Sequence, residues 1–192
     1  MTSGSSTAPG PAPINDDPAA TLRQLEEVRR RTRAAVHPAW FPMLVFGTLG
    51  LASIPFGFIG DGAGSGLFWL VASPAGGYAT SRYYRDRASS IGVGVRGRAY
   101  VALGVAIFVT AWVAGAVTES AAGPMLAVAV GYLGFARLEH SRPVAAVSVV
   151  LGVSAVLVAV TDPAHGDVVL ALVFGLAFTG TGLLLRRRDP VG

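Results

Sequence analysis

Six apolar segments, at 40–59, 65–82, 99–118, 122–138, 143–160 and 168–185, follow one another along the chain with mostly short breaks between them. An α-helix rises 1.5 Å per residue, so about 17–20 apolar residues are enough to cross a hydrocarbon core of roughly 30 Å. Backbone inside lipid must satisfy its own hydrogen bonds, which leaves helices or a closed barrel, and runs of this length fit helices. The expected fold is an all-α membrane protein of six transmembrane helices, arranged as three helical hairpins. The second and fourth segments are the weakest, being short or interrupted, and losing either one reverses the orientation of everything downstream.

The arginines give an independent test of that count. Arg23, Arg29, Arg30, Arg31 and Arg33 precede the first segment; Arg82, Arg85, Arg87, Arg96 and Arg98 fall between the second and third. Arg137 and Arg142 flank the break after the fourth, and Arg186, Arg187 and Arg188 follow the sixth. These account for every basic residue, since the chain has no Lys. The remaining connections carry Asp61, Glu119, Asp162, His165 and Asp167. Positive charge in cytoplasmic loops sets membrane orientation, so six spans with both termini in the cytoplasm are expected. Trp40, Tyr78, Tyr83, Tyr84 and Tyr100 fall near the inner interface and Trp69 near the outer one, where aromatic belts lie.

Composition agrees: 52% of residues are hydrophobic and 14% charged, too apolar for an ordinary soluble domain. A pI near 10.1 would suit nucleic acid if the charge formed one soluble patch, but its division among loops points to a membrane instead, and no nucleic-acid partner is expected. The absence of Cys excludes disulfides, thiolate metal sites and cysteine nucleophiles.

Residues 1–18 are small, polar and proline-rich, and read as a disordered tail. No signal peptide is expected, because neither a basic n-region nor an apolar h-region precedes residue 40. Residues 19–37 read as a basic amphipathic helix at the membrane interface. Thr21 and Gln24 form a capping box, Leu22, Leu25, Val28, Thr32 and Val36 recur at helical spacing, and Glu26/Arg30 and Glu27/Arg31 are i,i+4 pairs. His37-Pro38 ends it. The transmembrane domain then covers 38–188, and 189–192 form a short tail.

Several motifs fail on context. Gly92, Gly94 and Gly97 fit G-x-G-x-x-G, but SRYYRDRA precedes them rather than a strand, and the next acid is Glu119, beyond an apolar span. Glu26, Glu27 and Arg31 resemble the glutamate motif of CAAX-type intramembrane proteases, yet His37 and His140 lie at the cytoplasmic ends and His165 outside, so the partner histidines are missing. The G-S-G at 64–66 has Ala63 where a rhomboid-type motif needs Gly, and there are no paired aspartates of the CDP-alcohol transferase kind. Glu139, His140 and His37 share a side, but three ligands from two loops make a poor zinc site. No catalytic residue, cofactor or metal is assigned.

The span interiors hold no Asp, Glu, Lys, Arg or His, which disfavours proton-coupled transport. They do hold small residues at i,i+4, namely Ala111/Gly115, Ala127/Gly131, Ser148/Gly152 and Ala171/Gly175, which allow close helix approach. The one candidate ligand site is in the second span, where Pro74 removes a backbone donor, Ser73 can bond a freed carbonyl, Gly76 and Gly77 loosen the next turn, and Trp69 and Tyr78 flank it. A matching break falls at 53–57, SIPFG. Candidate contacts for anionic lipid or a partner are Arg29, Arg30, Arg31, Arg33, Arg82, Arg85, Arg96 and Arg98.

With LRQLEEVRRRTRAAVHPAWFP before the first span and ARLEHSR after a later one, the chain resembles the many uncharacterised multi-span membrane proteins of actinobacteria. That resemblance covers most of 21–188 and implies a bacterial cytoplasmic-membrane protein, with no catalytic motif to carry over. The leading expectation is a non-enzymatic membrane-embedded interaction or accessory subunit with a basic cytoplasmic face, in contact with membrane lipids and with a second copy or another protein. Two alternatives stay open: a small permease or binder of a neutral or apolar ligand near the Pro74 helix break, and a lipid-acting membrane enzyme.

Overall fold

Every regular element of the computed structural model is helical, with no strand among the described residues, which are 19–24, 39–59, 63–91 and 98–187. Residues 19–24 are helical and belong to a unit separate from 36–192. The rest of the amphipathic 19–37 segment and the 1–18 tail lie outside the described residues. In the larger unit the helices are α1 (Trp40–Ser53), α2 (Ala63–Ile91), α3 (Arg98–Thr118), α4 (Ala122–Glu139), α5 (Arg142–Thr161) and α6 (Gly166–Arg187), with a 3-10 turn at Ile54–Phe58 continuing α1.

Among the described residues four helical segments are long and apolar enough to cross a membrane: Trp40–Phe58, Val101–Thr118, Arg142–Thr161 and Gly166–Arg187. The two that fall short are α2 and α4. In α2 the apolar half is diluted by Ser65, Ser73, Pro74 and four glycines, while α4 contains Pro124 and ends in Arg137 and Glu139.

The turns joining α3 to α6 are short and built alike. Glu119, His140 and Asp162 each follow a helix with φ of 48°, 52° and 42°, the left-handed conformation that closes a helix C-terminus. After α4 the His140 N–H donates to Ala136 and Arg137 and the Ser141 N–H to Ala136 at 3.0 Å, so the last carbonyls are not left bare. Pro143 then occupies the first turn of α5, where a missing N–H costs nothing.

Packing order differs from chain order. Neighbours run α2–α1–α6–α5–α4–α3, so α2 and α3, consecutive in sequence, are the outermost members. The pairs α1/α2, α3/α4 and α5/α6 of the expected hairpins do touch, but α1 against α6 and α4 against α5 are more extensive. The α1–α6 seam is close because glycines stand where side chains would collide: a Cβ on Gly47 would lie 2.5 Å from Thr179 Oγ1 and 2.6 Å from the Thr179 backbone nitrogen, and one on Gly175 would lie 2.9 Å from the Leu51 nitrogen. Gly47 therefore directs a Cα–H at the Thr179 hydroxyl, which has no other hydrogen-bond partner. Of the small-residue pairs, Gly115 faces Pro124, Gly131 faces Ile107, Gly152 faces Ala129 and Gly175 faces Leu51, each across a helix seam.

The core is aromatic and aliphatic. Phe174, Phe178, Leu151, Val144, Val147 and Met43 are buried in it, with the Tyr132 ring edge-on to Phe178 at 4.6 Å and Trp69 edge-on to Phe174 at 5.8 Å. The outer faces are no less apolar. On α3, Val101, Val105, Val109, Val113 and Val117 form an exposed i,i+4 stripe, and α5 and α6 expose similar Val and Leu rows. Water penalises such a surface, whereas lipid does not.

Candidate functional site

Short turns and ring contacts define two ends of the bundle. At one, the starts of α1, α3 and α5 meet the ends of α2, α4 and α6. There Phe41 stacks on Tyr83 with centroids 3.8 Å apart, Trp40 meets Tyr83 edge-on at 5.8 Å, and Arg186 lies over the Trp40 ring at 5.4 Å. This clasp locks α1 to α2 and α6, and the cation–π contact holds one guanidinium at the boundary between apolar and polar surroundings. At the other end Phe58 meets the His165 ring at 5.4 Å, and Asp167, in the first turn of α6, stands beside Gly57. The Asp167 Oδ2 is buried without a hydrogen-bond partner, in a position that the α6 dipole favours for negative charge.

Charge divides between these ends. Within 36–192 all eight described arginines, at 82, 85, 87, 98, 137, 142, 186 and 187, belong to the first end; Glu119, Asp162, His165 and Asp167 belong to the second. Acids at the basic end are Asp86, 3.8 Å from Arg82 Nε, and Glu139. Glu139 is half-buried at the α4–α5 turn, and loss of solvent pushes its pKa up to about 7 from an ordinary 4.5.

The residues of the expected ligand site around Pro74 fall on different faces of α2. Instead of breaking there, α2 runs without interruption through Pro74, which is exposed. Gly76 is buried against Leu49 and Phe46 of α1, Gly77 has nothing within 4 Å of where its Cβ would be, Trp69 packs inward on Phe174, and Tyr78 points outward at 66% exposure. Ser73 is half-buried between these faces. Residues one apart on a helix point about 100° apart, so these six cannot converge while the helix stays regular. At the first break the backbone does change, from α-helix to 3-10 at Ile54-Pro55. Beside it an open apolar groove of about 530 Å³ lies between Phe56 and the α2 residues Leu67, Phe68 and Val71.

Of the arginines expected to contact anions, Arg82 and Arg85 lie on the exposed side of α2, and with Tyr78, Ser81 and Asp86 they line a depression of about 200 Å³. Arg98 opens α3. Arg29, Arg30, Arg31, Arg33, Arg96 and the glycine motif at 92–97 lie outside the described residues. Arg87 is on the other side of α2, donating to the Tyr83 hydroxyl at 3.2 Å. The apolar pattern ends at 82 and does not point to Ser81 or Asp86, but the helical spacing continued from Tyr78 reaches both. Among the described residues no group of three His, Asp or Glu side chains is placed to hold a metal ion.

No family model, curated protein or solved structure matches this chain.

Proposed function

We propose that the chain is a six-span membrane protein with both termini on the cytoplasmic side, acting as a membrane-embedded interaction or accessory subunit through its arginine-bearing face. The observation that carries this reading is the division of charge, with every described arginine of 36–192 at one end of the bundle and Glu119, Asp162 and Asp167 at the other. Four helices meet the length and hydropathy of a span on their own. For α4 the support is topological: tight turns join it to α3 and α5, it packs along both, and it therefore covers the same depth as they do. For α2 the support is length, 29 residues or roughly 43 Å of helix against roughly 30 Å of hydrocarbon. The positive-inside rule then assigns the basic end to the cytoplasm. The α-helix continues through Pro74, and the exposed basic face with half-buried Glu139 supports the partner reading over a permeation site there.

Reporter fusions after Gly60, Ala88, Ser120, Ser141, His165 and Gly192 should alternate outside, inside, outside, inside, outside, inside. A cytoplasmic signal at His165 refutes the topology. For the accessory role, photo-crosslinkers at Arg85 and Arg137 should trap one partner that a crosslinker at Val113 does not, and charge reversal of Arg137 and Arg142 should abolish the Arg85 adduct. Identical products from all three positions refute it.

A further inference from the structure

The α2 helix is longer than the hydrocarbon is thick, so its arginine-bearing end must leave the membrane. One side of α2 packs on α1, through Gly76 against Leu49 and Phe46 and through Tyr83 against Phe41. On the opposite side Leu67, Val71, Pro74 and Tyr78 recur at helical spacing and are all exposed. Continued by the same spacing, that stripe reaches Ser81, Arg82 and Arg85. A single face thus passes from aliphatic to phenolic to hydroxyl and guanidinium groups, and the 200 Å³ depression lies at the change.

We infer that this stripe binds one anionic phospholipid, with the phosphodiester between Arg82 and Arg85, the Ser81 and Tyr78 hydroxyls donating to phosphate and glycerol oxygens, and an acyl chain along Val71 and Leu67. The inference rests on α2 being a membrane span. Three features select this ligand. From Val71 to Arg82 is eleven residues, about 16 Å of helix, the depth of one leaflet's hydrocarbon. Two guanidiniums at i,i+3 are close enough to share one phosphate, and each offers a planar pair of donors that matches its oxygens. The third feature is that Arg82 is only loosely engaged: its contact with Asp86 is 3.8 Å, well beyond a charge-assisted hydrogen bond, and its side chain is 69% exposed. Asp86 holds the guanidinium in place without saturating it, and competes with an arriving anion. Arg87 takes no part, because it faces the α1 side and the Tyr83 hydroxyl.

Full-length protein in a neutral detergent should be titrated with phosphatidylglycerol, phosphatidylcholine and inorganic phosphate and read by native mass spectrometry. One phosphatidylglycerol should be retained per chain, about fivefold more tightly than phosphatidylcholine. Arg82→Gln with Arg85→Gln should weaken that retention roughly ten- to thirtyfold, and Asp86→Asn should strengthen it, a gain that a purely structural aspartate would not give. Equal retention of the two lipids, or indifference to the arginine changes, overturns the site. Displacement of the lipid by millimolar inorganic phosphate alone overturns the lipid and leaves a soluble phosphate as ligand. Should the double variant fail to fold, unchanged or weaker retention by Asp86→Asn overturns the proposal. The titration does not depend on which side of the membrane the arginines occupy, so failure of the topology and failure of the lipid site remain distinguishable.

Discussion

Replacing Gly47 by Ala adds one methyl group at the tightest point of the α1–α6 seam. That methyl carbon would stand 2.5 Å from Thr179 Oγ1, 2.6 Å from the Thr179 backbone nitrogen and 3.0 Å from Phe178 Cβ. A side chain can rotate away, but the backbone nitrogen cannot, so the helices must separate by roughly 0.8 Å to reach an ordinary contact near 3.4 Å. Overpacking of this kind costs about 1–3 kcal/mol. Losing the Cα–H contact to the Thr179 hydroxyl adds about 0.5–1 kcal/mol, and the better helix propensity of Ala returns about 0.8–1 kcal/mol. The net expectation is a loss of about 1–3 kcal/mol. Gly104→Ala on α3 and Gly180→Ala on α6 make the same chemical change where nothing lies within 4 Å, so they isolate the propensity gain and should be neutral or slightly stabilising. Unfolding of the purified protein in mixed detergent, followed by tryptophan fluorescence, measures all three. Thr179→Ser should not rescue Gly47→Ala, because the obstructing nitrogen remains. Equal stability of Gly47→Ala and Gly104→Ala would refute the close seam.

Two further substitutions test the turns. The folded state raises the Glu139 pKa to about 7 and so holds its proton more tightly than the unfolded chain, which means that stability falls as pH rises from about 4.5 to about 7 and is level on either side. Glu139→Gln should remove on the order of 2 kcal/mol of that pH dependence and be the more stable form at pH 8, as unfolding at pH 5 and pH 8 will show; parallel curves for both proteins would contradict the burial of this carboxyl. Asp162→Gly relieves a left-handed residue at the α5 C-terminus, where the aspartate has φ of 42°, and should stabilise by about 0.5–1 kcal/mol in the same assay.

How far the sequence could be read depended on whether the deciding interaction was local. The six apolar runs and the arginines between them depend on helix length and on transfer between water and lipid, both local properties; five runs lie within a helix and the first covers α1 and the 3-10 turn that continues it. The Ile54-Pro55 break was also local, because proline there ends the α-helical hydrogen bonding and the chain tightens to 3-10. At Pro74 the removed donor frees only one carbonyl, the flanking turns keep their bonds, and α2 continues. The end of α2 at Ile91 rather than 82 reflects helix propensity and the Arg82/Asp86 spacing outlasting the apolar pattern. Small residues such as Ala171 and Gly175 signal close approach but not the partner, and Gly47, which faces Thr179, belongs to none of the small-residue pairs. The α1–α6 pairing comes from residues far apart in sequence, which periodicity does not encode.

The pairing of the first helix with the last has a consequence for how the protein is made. The notch at Gly47 and Gly50 is filled by Phe174, Gly175, Phe178 and Thr179, more than a hundred residues later. At ordinary synthesis rates α1 has been made for on the order of ten seconds before that sequence exists. Over that interval something other than α6 must cover the glycine face, and α2 through α5 form beside a helix whose main contact is missing. Closure by α6 is thus the step that completes the packing of α1, and a chain ending before residue 170 would keep the Phe41–Tyr83 stack but leave the glycine notch unfilled and Trp40 without Arg186.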